Sequence, residues 1–322
     1  MGRFNLRLSK VLIFALIAAG VGQARAAQRA TYTPPRTPDG QPDLQGFWTN
    51  TTFTPLERPK DVNKEFYSAE EAAEIFKRLS AAEAEQTIPG TIADVHYDFT
   101  QFGLDKSQSS PVFSLRTSLI FDPPDGRIPP MTAEGLKRTA DRTAARKRMG
   151  ANTDAAENQP LGARCIIMEV AGPPMLPGAY NNNYHIVQTS GYVMILSEMI
   201  HDARIIPLDN RARPPSSIRE WMGRSRGRWE GDTLVVETTN FTDRNPFRGS
   251  SEDMRLVERF TRTADQAILY RFTVDDASTW TRPWSVELPM RRIDGPLFEH
   301  ACHEGNYGLY NILAGARAEE KK

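Results

Sequence analysis

From Arg164 onward the chain alternates apolar and polar residues almost without a break, and this period of two most limits what it can fold into. Successive side chains of a strand point to opposite faces, so alternation over four to eight residues marks a strand with one buried face. The pattern predicts strands over Cys165–Glu169, Tyr184–Gln188, Val193–Ile200, Arg204–Pro207, Thr233–Thr239, Arg255–Thr263, Ala267–Val274 and Trp284–Met290. One short helix is expected to interrupt them at Ser217, where Ser217 and Glu220 have the spacing of a capping box ahead of Trp221. Strands that follow one another through tight turns make an antiparallel meander. With no crossover helices, such a meander avoids open edges by closing into a barrel or by stacking as a sandwich. The expected fold is therefore mainly β, an antiparallel meander over 161–317 closing as a lipocalin-like β-barrel. A β-sandwich is the alternative.

Residues 27–160 read differently, as an N-terminal arm and a helical segment packed on the barrel. The stretch YTPPRTPDGQPDLQG is rich in Pro, Thr and Gly and suits an extended arm, pinned by Trp48 and Phe53. Ser68 and Glu71 form a capping box, and Ala72, Ile75, Leu79 and Ala82 follow at helical spacing, which predicts a helix over Ser68–Glu85. Ser114–Phe121 reads as a strand ended by the turn-forming Asp122-Pro123-Pro124-Asp125-Gly126. A second helix is expected from Thr132 to about Met149, with a basic, solvated face.

The first 26 residues have the layout of a secretory signal peptide. Arg3, Arg7 and Lys10 precede the apolar run Val11–Gly22, and Ala24-Arg25-Ala26 supplies a small-x-small cleavage pattern. The run is about a dozen residues, short of the ~20 needed to span the hydrocarbon core, so no membrane anchor is expected. Cleavage after Ala26 removes four of the 40 basic residues and none of the 40 acidic ones. The remainder is acidic, which argues against a nucleic-acid partner. A periplasmic or secreted product is expected, and in such a compartment Cys165 and Cys302 are candidates for a disulfide.

Turn positions register two hairpins. A turn at Ser190-Gly191 sets Tyr180, Asn182, Tyr184 and Ile186 on one face with His201, Met199, Ser197 and Ile195, and puts Asn183, His185 and Glu198 on the other. A turn at Ala264-Asp265-Gln266 pairs Phe260 with Tyr270, so Leu256, Glu258 and Phe260 share an apolar face with Tyr270, Phe272 and Val274. A carboxylate among rings is costly to keep ionised, and its pKa is expected to rise as a general acid or base requires. Neutralisation of Glu258 by Arg262 or Arg291 is the competing structural reading. The densest polar cluster, Glu299-His300-Ala301-Cys302-His303-Glu304, has no standard metal spacing. In an extended chain His300 and Cys302 face one way and His303 the other, so a zinc site from His201, His303 and Glu304 stands only as a further alternative. His96 falls in a segment, 96–108, that shows no clear pattern.

Six strings are long enough to compare with other sequences: PDLQGFW, EMIHDARIIPLD, GRWEGDTLVVETTNFT, ERFTR, TWTRPW and ACHEGNYGLYNILAGAR. Together, over roughly Thr37 to Arg317, they resemble a largely uncharacterised family of exported bacterial proteins common in environmental species. The resemblance implies export and carries over no catalytic residue. The meander, with Gly-x-Trp strand starts at Gly46-Phe47-Trp48 and Gly227-Arg228-Trp229, is also similar in style to lipocalin-like proteins, which include ligand carriers and a few hydratases, isomerases and lyases.

No G-x-S-x-G elbow, Walker loop or dinucleotide fingerprint is present, so neither an organic cofactor nor a metal is expected. The expected function is a small-molecule enzyme performing cofactor-independent acid/base chemistry (lyase, hydratase or isomerase) on a partly aromatic substrate in a barrel cavity. His201 and Glu258 are its first candidates for proton transfer, with Tyr180 and His303 in support. Tyr184, Asn182, Tyr270, Phe272, Asp202 and Arg204 are the expected substrate contacts. A binding protein for an apolar ligand and a metal-dependent hydrolase are the alternatives.

Overall fold

Turn chemistry builds most of the sheet. The computed structural model describes residues 32–83, 112, 114–178, 180–209, 211 and 215–322. The expected signal segment, residues 27–31 of the arm, the last two residues of the first helix, and His96 with residues 97–108 lie outside the described residues. The chain divides into two units, Met1–Thr33 and Pro34–Lys322, and everything below belongs to the second.

Sequence-adjacent antiparallel pairs supply the meander. Strands β3 (Asn183–Gln188) and β4 (Tyr192–Ser197) pair as the Ser190-Gly191 turn requires, with Tyr184 opposite Ser197 and Ile186 opposite Ile195; β5 (Ala203–Pro207) continues from β4. β6 (Arg224–Glu230) and β7 (Thr233–Thr239) join through Gly231-Asp232, where Gly231 takes the positive φ of 60° that a two-residue hairpin turn demands. β8 (Arg255–Ala264) and β9 (Ala267–Asp275) pair with Phe260 opposite Tyr270 and Glu258 opposite Phe272, and β10 (Trp284–Ile293) follows β9. The N-terminal half adds two short strands, β1 (Gly46–Thr49) and β2 (Ile120–Asp122).

The result is one ten-stranded antiparallel sheet of order β5-β4-β3-β1-β10-β9-β8-β7-β6, with β2 on β10. β1 lies between the first and last strands of the meander, β3 and β10, and bridges them. The break falls instead between β5 and β6, which do not pair, so the sheet is not closed into the expected barrel. At that seam side chains of the β5 end pack against β6: a Cβ on Gly227 of β6 would lie 2.8 Å from Leu208 Cδ2 and 3.0 Å from Ile206 Cγ2.

One face of the sheet is buried, and it is solid. Trp48, Trp284, Tyr184, Tyr270, Phe260 and Phe272 are all fully buried. The rings touch in sequence: Phe260–Tyr270 centroids are 4.8 Å apart, Tyr270–Phe272 5.8 Å and Phe272–Trp284 6.2 Å. The hollow expected behind these strands is filled, because alternate positions of both strands of the β8–β9 hairpin carry large side chains that interdigitate at interior density.

Among the described residues three α-helices accompany the sheet. α1 (Ala69–Glu83) starts at the expected capping box, in which the Ser68 N–H donates to Glu71 Oε2 at 2.8 Å and the Glu71 N–H to Ser68 Oγ at 3.2 Å. α2 (Ala133–Arg148) is capped by Thr132, whose Oγ1 accepts from the Gly135 N–H, and its last turn carries Arg146, Lys147 and Arg148. α3 (Tyr307–Glu319) was not anticipated; Asn306 is its N-cap, accepting from the Leu309 N–H.

Three expected elements are absent or short. Cys165–Glu169 forms no strand, because Cys165 has φ 55° and the N–H groups of Cys165 and Ile166 bond back to Gly162 and Leu161. Ser114–Phe121 contributes only its end to β2, since the hydroxyls of Thr117 and Ser118 donate to the carbonyls of Lys64 and Ile120 and compete with the ladder. The helix at Ser217 does not form, because the Glu220 N–H is taken by the Asn240 carbonyl.

Cys165 and Cys302 are joined in a disulfide with a sequence separation of 137 residues. By the chain-entropy model, closing so long a loop stabilises the fold by about 5 kcal/mol through the unfolded state. Urea unfolding of a C165A/C302A double variant is expected to show a loss of that order; an unchanged midpoint would mean that the bridge contributes nothing to global stability.

Candidate functional site

Glu258 points inward from β8 and is fully buried, but it is not alone. Arg204, on the inner face of β5, donates from Nη1 to Glu258 Oε2 at 2.7 Å and from Nη2 to Oε1 at 3.1 Å. The Tyr270 hydroxyl donates to Oε1 at 2.8 Å and itself accepts from the Met175 N–H at 3.0 Å. Beside them the Tyr184 hydroxyl donates to the Val170 carbonyl, and Asn50 Nδ2 donates to the Met175 carbonyl and the Tyr184 hydroxyl. Burial pushes both phenols well above their ordinary pKa, with the Glu258 carboxylate adding to the shift at Tyr270, so both remain neutral.

This arrangement corrects the reading of Glu258 as an unpaired carboxyl. Its partner is Arg204, whereas Arg262 donates to the carbonyls of Asp43 and Asp265 and Arg291 to that of Arg292. A bidentate pair with a third donor on the same carboxylate is a structural clamp.

The other expected catalytic groups lie elsewhere. The β3–β4 register ends at Tyr184–Ser197, and the chain then enters a 3-10 turn, Met199–His201, in which Ile200 has φ 60° and His201 φ 49°. This turn carries His201 off the sheet, so the expected pairing of Tyr180 and Asn182 with His201 and Met199 is not made. His201 is exposed, with Nδ1 3.2 Å from the His300 carbonyl. The Tyr180 ring lies 6.4 Å from the His300 ring. His303 and Glu304 are exposed, and among the described residues no three His, Cys, Asp or Glu side chains gather as metal ligands, so His201, His303 and Glu304 do not form one set. Asn182 is tied to Gly178 through both ends of its amide, and Tyr184, Tyr270 and Phe272 belong to the packed interior. Glu198 accepts from Asn183 Nδ2 at 2.6 Å and from the Phe298 N–H at 3.1 Å. His185 stacks on Phe47 at 4.2 Å, and burial lowers its pKa.

Asp202 and Arg204 do meet a cavity. A cleft of about 620 Å³ opens along the unpaired seam, lined by Ile166 and Ile167, by Tyr192 of β4, by Asp202–Ile205, by Glu220 and Trp221, by Arg224–Arg226 of β6, and by Glu237 and Thr239 of β7. Most of its charges are matched within the protein. Arg211 pairs with Asp209 and donates to the Tyr192 hydroxyl, Arg224 pairs with Glu220, and Glu237 with Arg255. Asp202 is different. Its carboxylate accepts no hydrogen bond and forms no ion pair among the described residues, and burial raises its pKa against the opposing pull of His201.

Tyr192, Trp221, Arg224 and Glu237 were missed by periodicity, because they sit on strand edges and a turn whose meeting depends on how the sheet curls. One signal was present: the strings EMIHDARIIPLD and GRWEGDTLVVETTNFT border this cleft from its two sides. A scan against protein-family models finds no match, and no curated protein is significantly similar to the chain.

The clamp makes a stability prediction. E258Q leaves the Arg204 charge buried without its partner and is expected to cost about 3–5 kcal/mol, while an R204M/E258L pair of similar volume recovers most of the loss. Denaturant unfolding of the three proteins measures both; equal destabilisation by the single and double variants would refute the clamp.

Proposed function

We propose that the protein is exported and binds a small, partly aromatic organic molecule in the cleft between β5 and β6. The observation that carries this reading is the cleft itself. Its volume of about 620 Å³ falls in the range of small-molecule sites, roughly 300–1,000 Å³, and such sites combine apolar and aromatic walls with a few placed polar groups. Here Ile166, Ile167, Tyr192 and Trp221 supply the walls, and Asp202 and Thr239 the polar groups. Export is supported by the charged, apolar and small-residue order of residues 1–26 and by the Cys165–Cys302 bridge, which suits an oxidising compartment. No described helix is long and apolar enough to cross a membrane.

Acid/base catalysis is the second reading, and Asp202 is the residue that favours it. A half-buried carboxyl with a raised pKa that lines the cavity and accepts no hydrogen bond among the described residues has the properties of a proton-transfer group. Elimination, hydration or isomerisation of a bound organic molecule would then take place at the seam, with Asp202 in the role first expected of Glu258 and His201.

Titration with the neutral fluorescent probe N-phenyl-1-naphthylamine tests the shared part of both readings. Saturable binding is expected, weakened at least tenfold by A203W and by T239W, which fill the cleft from opposite strands, with unfolding midpoints close to that of the unaltered protein. Absence of saturable binding, or binding indifferent to both substitutions, would remove the cleft from consideration.

A further inference from the structure

The seam cleft is lined by more arginine than acid, which at first favours an anionic ligand, yet the pairing of those groups points the other way. Arg204 is committed to Glu258 through two bonds, Arg211 to Asp209 and the Tyr192 hydroxyl, and Arg224 to Glu220. Arg226 donates to the Arg211 carbonyl and lies close enough to Asp209 to help hold that carboxyl below its usual range. On the acidic side Glu237 is held by Arg255 and Glu220 by Arg224. Asp202 is the one lining carboxylate with no hydrogen bond or ion pair among the described residues.

A partly desolvated carboxylate without a partner is costly, and the cost is relieved by a cation or a strong donor arriving beside it. The same cleft holds Trp221, an aromatic surface on which a ring stacks and over which an ammonium is favoured by the ring quadrupole, and Tyr192, one face of whose ring is covered by Arg211. We infer that the cleft selects small aromatic amines, with the ligand ammonium on Asp202 and its ring against Trp221 and Tyr192. This rests on the reading of the cleft as a ligand site and adds the charge of the ligand to it.

Affinity for a fixed cation on Asp202 is present while the carboxylate is ionised and is lost as pH falls through its titration. Because burial raises the Asp202 pKa, that loss sets in above the ordinary aspartate range. The charged and titratable groups around the cleft are His201 on the adjoining turn, Arg204 on β5, Arg211 and Glu220 on the connection, Arg224 and Arg226 on β6, and Glu237 on β7. Of these, His201 is the group whose charge acts on the Asp202 carboxyl, so H201Q serves as the background in which the effect must persist.

Calorimetric titration with three probes of matched size decides the matter: phenethylamine, 2-phenylethanol and 3-phenylpropionate. The amine is expected to bind at least tenfold more tightly than the alcohol, and the carboxylate more weakly than either. D202N is expected to bring the amine to the level of the alcohol. In the protein with Asp202 intact, and in H201Q, amine affinity is expected to fall on acidification whereas that of the alcohol does not; this arm needs no change at Asp202 and so holds even if D202N folds poorly. A preference for the carboxylate, an amine preference that survives in a folded D202N, or no binding of any of the three overturns the inference. If the naphthylamine probe still binds and A203W still blocks it, the ligand site stands and only its selectivity for cations falls.

Discussion

The bidentate contact between Arg204 and Glu258 is the interaction on which the arrangement of the sheet turns. Arg204 belongs to an edge strand that makes hydrogen bonds on one side only, and Glu258 to β8, which lies two places in from the opposite edge, β6. By crossing the interior, the pair ties the free edge at β5 to the middle of the β7–β8–β9 hairpins without any backbone bond between β5 and β6. An edge that would otherwise be open to pairing with another chain is anchored from inside and covered by side chains from outside. The seam then has no need to zip, and the cleft is the consequence.

The clamp extends through Tyr270 to the segment that follows the disulfide. Met175 and Val170, on either side of Gly172-Pro173-Pro174, meet Tyr270 and Tyr184 through a backbone donor and a backbone acceptor. Prolines lack an N–H and cannot join a ladder, so this segment is held by side chains of the interior in place of strand partners. Cys165, at the start of the same segment, is bonded to Cys302, just ahead of α3. Ile166 and Ile167, immediately after the cysteine, form part of the cleft wall. The buried tyrosines, the disulfide and the candidate ligand site are in this way one connected piece of structure. The aromatic side chains expected to contact a ligand instead position the backbone that borders it.

Much of the β pattern was legible because it is local. Alternation and two-residue turns gave β7 its full extent and placed β3, β5, β8, β9 and β10 to within a few residues, and they set the Phe260–Tyr270 and Tyr184–Ser197 registers, since each depends on residues near in sequence. The capping boxes show where local reading stops. Ser68 and Glu71 cap α1, but the identical spacing at Ser217 and Glu220 fails because Asn240, twenty residues on, takes the Glu220 N–H. The candidate site was harder for the same reason. Periodicity put Glu258 on an apolar face correctly, but its partner came from β5, more than fifty residues away, and from a strand whose place in the sheet no turn specifies.

The amino-acid sequence by itself determined that the second half is an antiparallel meander, which residues of the β3–β4 and β8–β9 hairpins face inward, where the first two helices begin, and which two cysteines are available to bond. These follow from periods of 2 and 3.6 and from turn and cap chemistry, all of which act over a few residues. Only the tertiary structure decided that the interior is filled with rings, that Glu258 is clamped by Arg204, that His201 leaves the sheet, and that Asp202 stands at an open seam with no hydrogen bond or ion pair among the described residues. Each of these is set by how far the sheet curls and which distant strands meet, and that depends on side-chain volume and charge summed over the whole interior, which no local pattern records.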